Sequence, residues 1–290
     1  TAIRRYQRLW PLPESEQTNS GFFDDLETGW ESLGDLAGRP DSFFLKSRGR
    51  SIGTHVEAAV DAFSMARPQD SVPALTAGLR ETRELLAELE PEDEASFLLQ
   101  IKERQFERAL HNALGLELFA VAVPTQMEPG TPTELPVVVP GQRVAIDVSL
   151  TKPTTARITE VNLHVDVPPD WQTASNTDTS RSSDGTIARR ILVTVGSNTR
   201  LSRRSFTRTA LTQPHYTSVD STLAPFSAPK AVAVATFRVD GVPVVIRSTV
   251  HGREAQLPYG YVLRELQVLP SVSLSVKPSI TIVPEAQQTV

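Results

Sequence analysis

Residues 141–167, GQRVAIDVSLTKPTTARITEVNLHVDV, contain two runs in which apolar residues occupy every second position. Val144, Ile146, Val148 and Leu150 form the first; Val161, Leu163, Val165 and Val167 form the second. Successive side chains of a strand point to opposite faces, so the alternation predicts two half-buried strands. Pro140–Gly141 supplies a turn into the first of them. Working outward, similar runs occupy residues 118–123, 191–195, 231–239, 244–250, 262–269 and 272–276, with 280–283 after Pro278. Prolines and turn residues punctuate these runs and no helical pattern alternates with them. The rhythm predicts an antiparallel β-sandwich of the immunoglobulin or fibronectin-III-like type. Polar residues 175–185 read as an exposed loop.

Upstream of residue 117 the period changes. Ile52, Val56, Ala59, Val60 and Phe63 fall on one helical stripe that stops before Pro68. Leu75, Leu79, Thr82, Leu86 and Leu89 form a second, between Pro73 in its first turn and Pro91. A third helix is expected over residues 93–114, burying Leu99, Phe106, Leu110 and Ala113, with Gly115 as its C-cap. Residues 11–50 are poorer in periodicity, although Phe22, Phe23, Leu26, Trp30, Leu33 and Leu36 could form one more short helix. Six of the 22 prolines precede residue 121, as helices require. The expectation is an α+β chain: an antiparallel helical unit over 1–116, a sandwich over 117–270, and a terminal strand segment or the start of a following domain over 271–290. No linker separates the first two, so they are expected to pack together.

Composition narrows the function. The 290 residues include no cysteine, which removes thiol nucleophiles, disulfides and Cys-based metal sites. No apolar run is long enough to cross a membrane. The net charge of −5 is split unevenly: residues 1–120 hold 13 Lys/Arg against 21 Asp/Glu, and the remainder 16 against 13. That balance does not suit a nucleic-acid binder. Thr1 and the nearby Arg4, Arg5 and Arg8 lead into no apolar core, so the chain reads as an excised or processed piece.

No motif carries chemistry. His55, His111, His164, His215 and His251 lie far apart in sequence, without the spacing of a metal site. Nucleophile-elbow and phosphate-loop frames are missing. Asp24–Asp25 and Glu92–Asp93–Glu94 precede apolar helical residues and suit helix capping. No catalytic, cofactor-binding or metal residue is therefore assigned, and the chain alone is not expected to be an enzyme. Arg189, Arg190, Arg200, Arg203, Arg204 and Arg208 are the densest local charge, with no acid between the first and last. They read either as a solvated sheet face or as a contact for an acidic partner, anionic glycan or phosphate. Arg203, Arg204 and Arg208 are carried forward as candidate contacts.

Several stretches resemble one family. SGFFDDLETGW at 20–30, HVEAAVDAF at 55–63, QIKERQFERALHNALGLEL at 100–118 and VVPGQRVAIDVSL at 138–150 come first. VPPDW at 167–171, LTQPHY at 211–216, VATFRVDGVPVVI at 234–246 and LRELQVLPSVSLSVKPSITIVP at 263–284 follow in order. Together they resemble the non-catalytic C-terminal region of large bacterial PIG-L/LmbE-family deacetylases. The VVPGQRVAIDVSL…VPPDW portion is also similar to the NPCBM-associated sandwich modules of glycan-active enzymes. The resemblance implies a secreted or cell-envelope parent that removes an N-acyl group from an amino sugar, using zinc held by an AHPDD-type motif. Neither that motif nor a match to it occurs here, so zinc is expected only in a catalytic domain outside this chain. Two functions follow: an accessory or assembly region, contacting that catalytic domain or a second copy of itself, or a carbohydrate- or cell-envelope-binding module. Phe22, Phe23 and Trp30 are candidates for the protein contact, the alternative being packing on the chain's own helices. Trp171, with Pro168 and Pro169, is read as covering the sandwich edge, the functional alternative being a glycan platform.

Overall fold

The computed structural model describes residues 29–125, 135–153, 157–174, 179–181, 185–210, 212–219, 227–256, 258, 260–275 and 277. A 3-10 turn, Trp30–Ser32, leads into the short α1, Leu33–Leu36, and then three longer helices: α2, Phe43–Ala62; α3, Val72–Ala87; α4, Glu94–Ala113. Ser42 caps α2 by accepting from the Leu45 N–H at 3.3 Å, and Asp93 caps α4 by accepting from the Ala95 N–H at 2.9 Å. Each such cap stabilises its helix by about 1 kcal/mol. Arg48 reaches Glu88 while Ser51 and His55 reach Glu81, so α2 and α3 run antiparallel. Gly78 faces Phe106 while Arg83 reaches Glu103, and α3 and α4 do the same.

Expectation and structure differ in α2. The helix begins at Phe43, nine residues before the apolar stripe. Its early face packs through Leu45 and Gly49, and a Cβ on Gly49 would lie 2.1 Å from the Trp30 carbonyl oxygen. A side chain is excluded where two backbones meet, so no apolar pattern marks this turn. At the other end, Val60 and Phe63 are exposed because the helix overhangs its packed region. In α4 the expected burial of Leu99, Phe106, Leu110 and Ala113 is found, and Gly115 ends the helix at φ +61°.

Among the described residues fourteen strands follow. In chain order they are β1, Glu117–Pro124; β2, Val137–Val138; β3, Arg143–Thr151; β4, Thr159–Asp166; β5, Gln172–Ala174; β6, Thr179–Arg181; and β7, Ile187–Thr194. Then come β8, Phe206–Thr207; β9, Thr217–Ser218; β10, Val232–Val239; β11, Val242–Thr249; β12, His251–Ala255; β13, Tyr261–Glu265; and β14, Gln267–Val268. The largest sheet has the order β13-β12-β1-β3-β7-β5, with β6 also on β7; a second has the order β11-β10-β4. Pairing is antiparallel throughout these sheets except between β1 and β12. A parallel pair, β14-β2, and an antiparallel hairpin, β8-β9, stand apart.

Period two appears as burial. Leu118, Ala120 and Ala122 of β1, with Val144, Ile146, Val148 and Leu150 of β3, face one apolar cluster. Val121, Val123 and Ala145 face a smaller cluster on the opposite side. Ala233, Ala235 and Phe237 of β10, Val244 and Ile246 of β11, and Leu163 and Val165 of β4 join the larger cluster, which continues into α2, α3 and α4. Helices and sheets therefore share one apolar interior.

Four expectations about strands change. Residues 175–185 include β6, which pairs with β7. The run 262–269 breaks at Leu266 because β13 pairs with β12 whereas β14 turns to pair with β2. Residues 271–275 form no strand, and Val272 and Leu274 are exposed. β12 was not foreseen, since HGREA lacks alternating apolar residues; its place between β1 and β13 makes it a strand. Residues 280–283 lie outside the described residues.

One arginine ties the helices to the sheets. Arg83 donates through Nε to Glu103 Oε1 at 2.6 Å, through Nη2 to Glu107 Oε1 at 2.9 Å, and through Nη1 to the Pro243 carbonyl. Glu107 Oε1 also accepts from the Val245 N–H at 3.3 Å. Burial raises the Glu107 pKa, and this outweighs the opposing pull of the Arg83 guanidinium and the Val245 amide.

Candidate functional site

The segment after β7 builds a groove from arginines and rings. Ser202 fastens it to β14: its N–H donates to the Val268 carbonyl at 2.8 Å, and its Oγ accepts from the Val268 N–H at 3.0 Å. Beyond Ser202 the chain enters the β8-β9 hairpin, closed by the Val219 N–H donating to the Ser205 carbonyl at 2.7 Å. Gln213 Oε1 gathers the tip by accepting from the N–H and hydroxyl of Thr209 at 3.2 and 2.9 Å. Arg203, Arg204, Phe206 and Arg208 of this stretch line a depression together. The returning strand brings Tyr216 against Arg208, whose guanidinium lies 5.1 Å from the ring centre.

Two adjoining depressions, about 750 and 720 Å³, share Arg203, Arg204, Phe206 and Tyr216. Arg208 lines the first, and Arg200, Lys230 and Glu265 line the second. Glu265 is the only acid among their described lining residues. Tyr216 is 62% exposed and Phe206 39% exposed, so both rings offer surface to a ligand.

The six-arginine stretch therefore divides. Arg189 donates to the Leu163 carbonyl and to Asn162 Oδ1, while Arg190 makes a two-pronged pair with Asp147 at 2.7 Å on each prong. Both are fixed within the sheets. Arg203, Arg204 and Arg208 come together as a cationic wall. Phe206 and Tyr216 were missed as site residues; the signal available for Phe206 was its position midway between Arg204 and Arg208.

The candidate tryptophans are packing residues. Trp171 is 5% exposed and its indole N–H donates to Thr199 Oγ1 at 2.9 Å, so it presents no platform to a sugar. Trp30 is half-buried against Gly53, its ring centre is 6.5 Å from that of Phe106, and Lys102 Nζ lies 5.2 Å over it. It packs on the chain's own helices. Phe22 and Phe23 lie outside the described residues.

A second surface lies on the helices. Phe43, Phe44 and Phe97 are exposed in the first turns of α2 and α4. Asp93 pairs with Arg39 there, which places both helix starts at one end of the layer. Val60, Phe63 and Met65 are exposed at the opposite end of α2. Among the described residues no group of three or more His, Cys, Asp or Glu could hold a metal ion, and no helix is long and apolar enough to cross a membrane.

No protein-family model matches the sequence, and no curated protein matches it. Among solved structures the chain matches the Pseudomonas fluorescens alkylpurine DNA glycosylase AlkC bound to DNA containing an abasic site analog. The identity is 11%, the match covers 81% of this chain and 54% of that chain, and the TM-score is 0.13. The chain spans about half the length of that structure, and the likeness carries no argument about fold or function.

Proposed function

We propose that this chain is a non-catalytic accessory or assembly region of a bacterial zinc-dependent deacetylase of the PIG-L/LmbE kind. In this reading the helical layer docks onto protein, either the catalytic domain of the same polypeptide or a second copy. The sheets form an immunoglobulin- or fibronectin-III-like sandwich that acts as a spacer. Zinc chemistry belongs to the catalytic domain, and the parent works outside the cell or in its envelope. The observation that carries the docking role is the exposure of large apolar side chains on the helical layer, among them the aromatics Phe43 at 81% and Phe97 at 62%. Exposed aromatics of this size, in the first turns of two helices that start at the same end of the layer, are characteristic of contact surfaces. The ordered family-like stretches support the identity of the parent, and the inner faces of the two main sheets joining one apolar cluster support the sandwich.

The test is the double variant Phe43→Ser/Phe97→Ser, with association measured by analytical ultracentrifugation, alone and with a separately produced PIG-L-type catalytic domain. The parent should associate; the variant should keep its melting temperature and bind at least about tenfold more weakly. A parent that neither self-associates nor binds that domain, or a variant that associates like the parent, removes this function. A second reading, a glycan- or envelope-binding module, is favoured by the groove of arginines and rings.

A further inference from the structure

Several arginines of the sheets are held by acids. Arg190, Arg238 and Arg264 each meet a carboxylate at 2.7 to 2.8 Å, on Asp147, Glu160 and Glu254 respectively. Among the described residues no carboxylate pairs with Arg203, Arg204 or Arg208, although Glu265 lies in the same groove. Arg203, Arg204 and Arg208 thus line one depression beside two exposed rings, with no described carboxylate to hold them. We propose that this groove binds an acidic oligosaccharide, a chain of pyranose rings bearing carboxylates. The inference rests on the glycan-binding reading and is independent of what the helical layer docks against.

Each part of the ligand has a counterpart. A guanidinium presents a planar fork of N–H donors that matches a carboxylate in two-pronged geometry. The Tyr216 ring holds the Arg208 guanidinium 5.1 Å from its centre, in the same depression as Arg203 and Arg204. The exposed faces of Phe206 and Tyr216 suit the C–H side of a pyranose ring. Ser205 and Ser227, their hydroxyls 2.8 Å apart at the groove, both donate and accept, as sugar hydroxyls do.

A single-stranded nucleic acid would use the same cations and rings. One feature weighs against it. Glu265 within the groove is a hydrogen-bond acceptor that the hydroxyls of a saccharide can satisfy, whereas the sugar–phosphate backbone of DNA offers it no donor.

The experiment is calorimetric titration of the whole chain with three probes: trigalacturonate, its fully methyl-esterified form, and a short oligothymidylate. Trigalacturonate should bind, and esterification should weaken it by at least about tenfold because it removes the charge that the guanidinium groups recognise. Arg204→Gln and Tyr216→Ala should each weaken trigalacturonate by about tenfold, with unchanged melting temperatures since both side chains are exposed. Equal binding of acid and ester would overturn the carboxylate preference and leave the glycan reading standing. Failure of both saccharides would overturn the inference and that reading together. Tighter binding of oligothymidylate would replace the ligand class, and variants that bind like the parent would place the ligand outside this groove.

Discussion

The helical layer and the sheets use their arginines differently. In the helices each interior-facing arginine serves several acids: Arg48 lies within 4 Å of Glu81, Glu84 and Glu88, and Arg83 holds Glu103 and Glu107. Glu81, Glu84, Glu88, Glu103 and Glu107 are thus drawn into brackets between helices. On the sheets the pairs are single, and Arg203, Arg204 and Arg208 are left to line a groove. Charge therefore knits one region together, whereas in the other a surplus faces outward and defines a surface.

The largest test asks whether these regions are one folding unit. Phe237 is 2% exposed in an interior shared by sheets and helices. Phe237→Ala should cost about 3–5 kcal/mol and lower the helical and sheet transitions together. A melt in which helical signal survives the loss of sheet signal would break the unity of the core. Arg83→Ala sharpens the comparison by cutting the bracket itself. With its side chain 26% exposed, the expected cost is about 2–3 kcal/mol, read from the urea midpoint. A change within the noise of a surface substitution would show that solvent already screens the bracket.

The smallest effect is in pH. Burial makes the native Glu107 carboxyl hold its proton to higher pH than the unfolded one, whose ordinary value is 4.5. Its contribution is thus most favourable below that value and declines as pH rises through the native pKa. Glu107→Gln should flatten this decline while keeping an acceptor for the Val245 amide. A stability profile parallel to the parent's from pH 4 to 7 would contradict the assignment.

What could be read in advance follows from whether the controlling contact is local. The limits and buried face of α4 were legible because capping, periodicity and Gly115 lie within one helix. β1, β3 and β10 were legible through alternation. The burial of Trp171 was legible, but its hydrogen bond was not, since Thr199 lies 28 residues along the chain, and β12 owes its strand geometry to neighbours brought from elsewhere. The groove was half legible: Arg203, Arg204 and Arg208 stood out as charge, but the place of Tyr216 depends on the β8-β9 hairpin folding back. Sequence likewise could not show that Arg190 is satisfied by Asp147, a partner from another strand.

The turn between β10 and β11 bears on how the chain assembles. Asp240 and Gly241 both adopt positive φ, +47° and +79°, the backbone that a two-residue hairpin with right-handed twist requires. Zipping these strands brings together residues that are already neighbours, whereas setting Val121 beside His251 closes a loop of well over a hundred residues. Each doubling of a flexible loop costs only about 0.6 kcal/mol, yet half a dozen doublings separate the two events, roughly 4 kcal/mol of chain entropy. The hairpin can thus persist early, while the parallel seam that sets β12 beside β1 must wait for intervening strands to shorten the search.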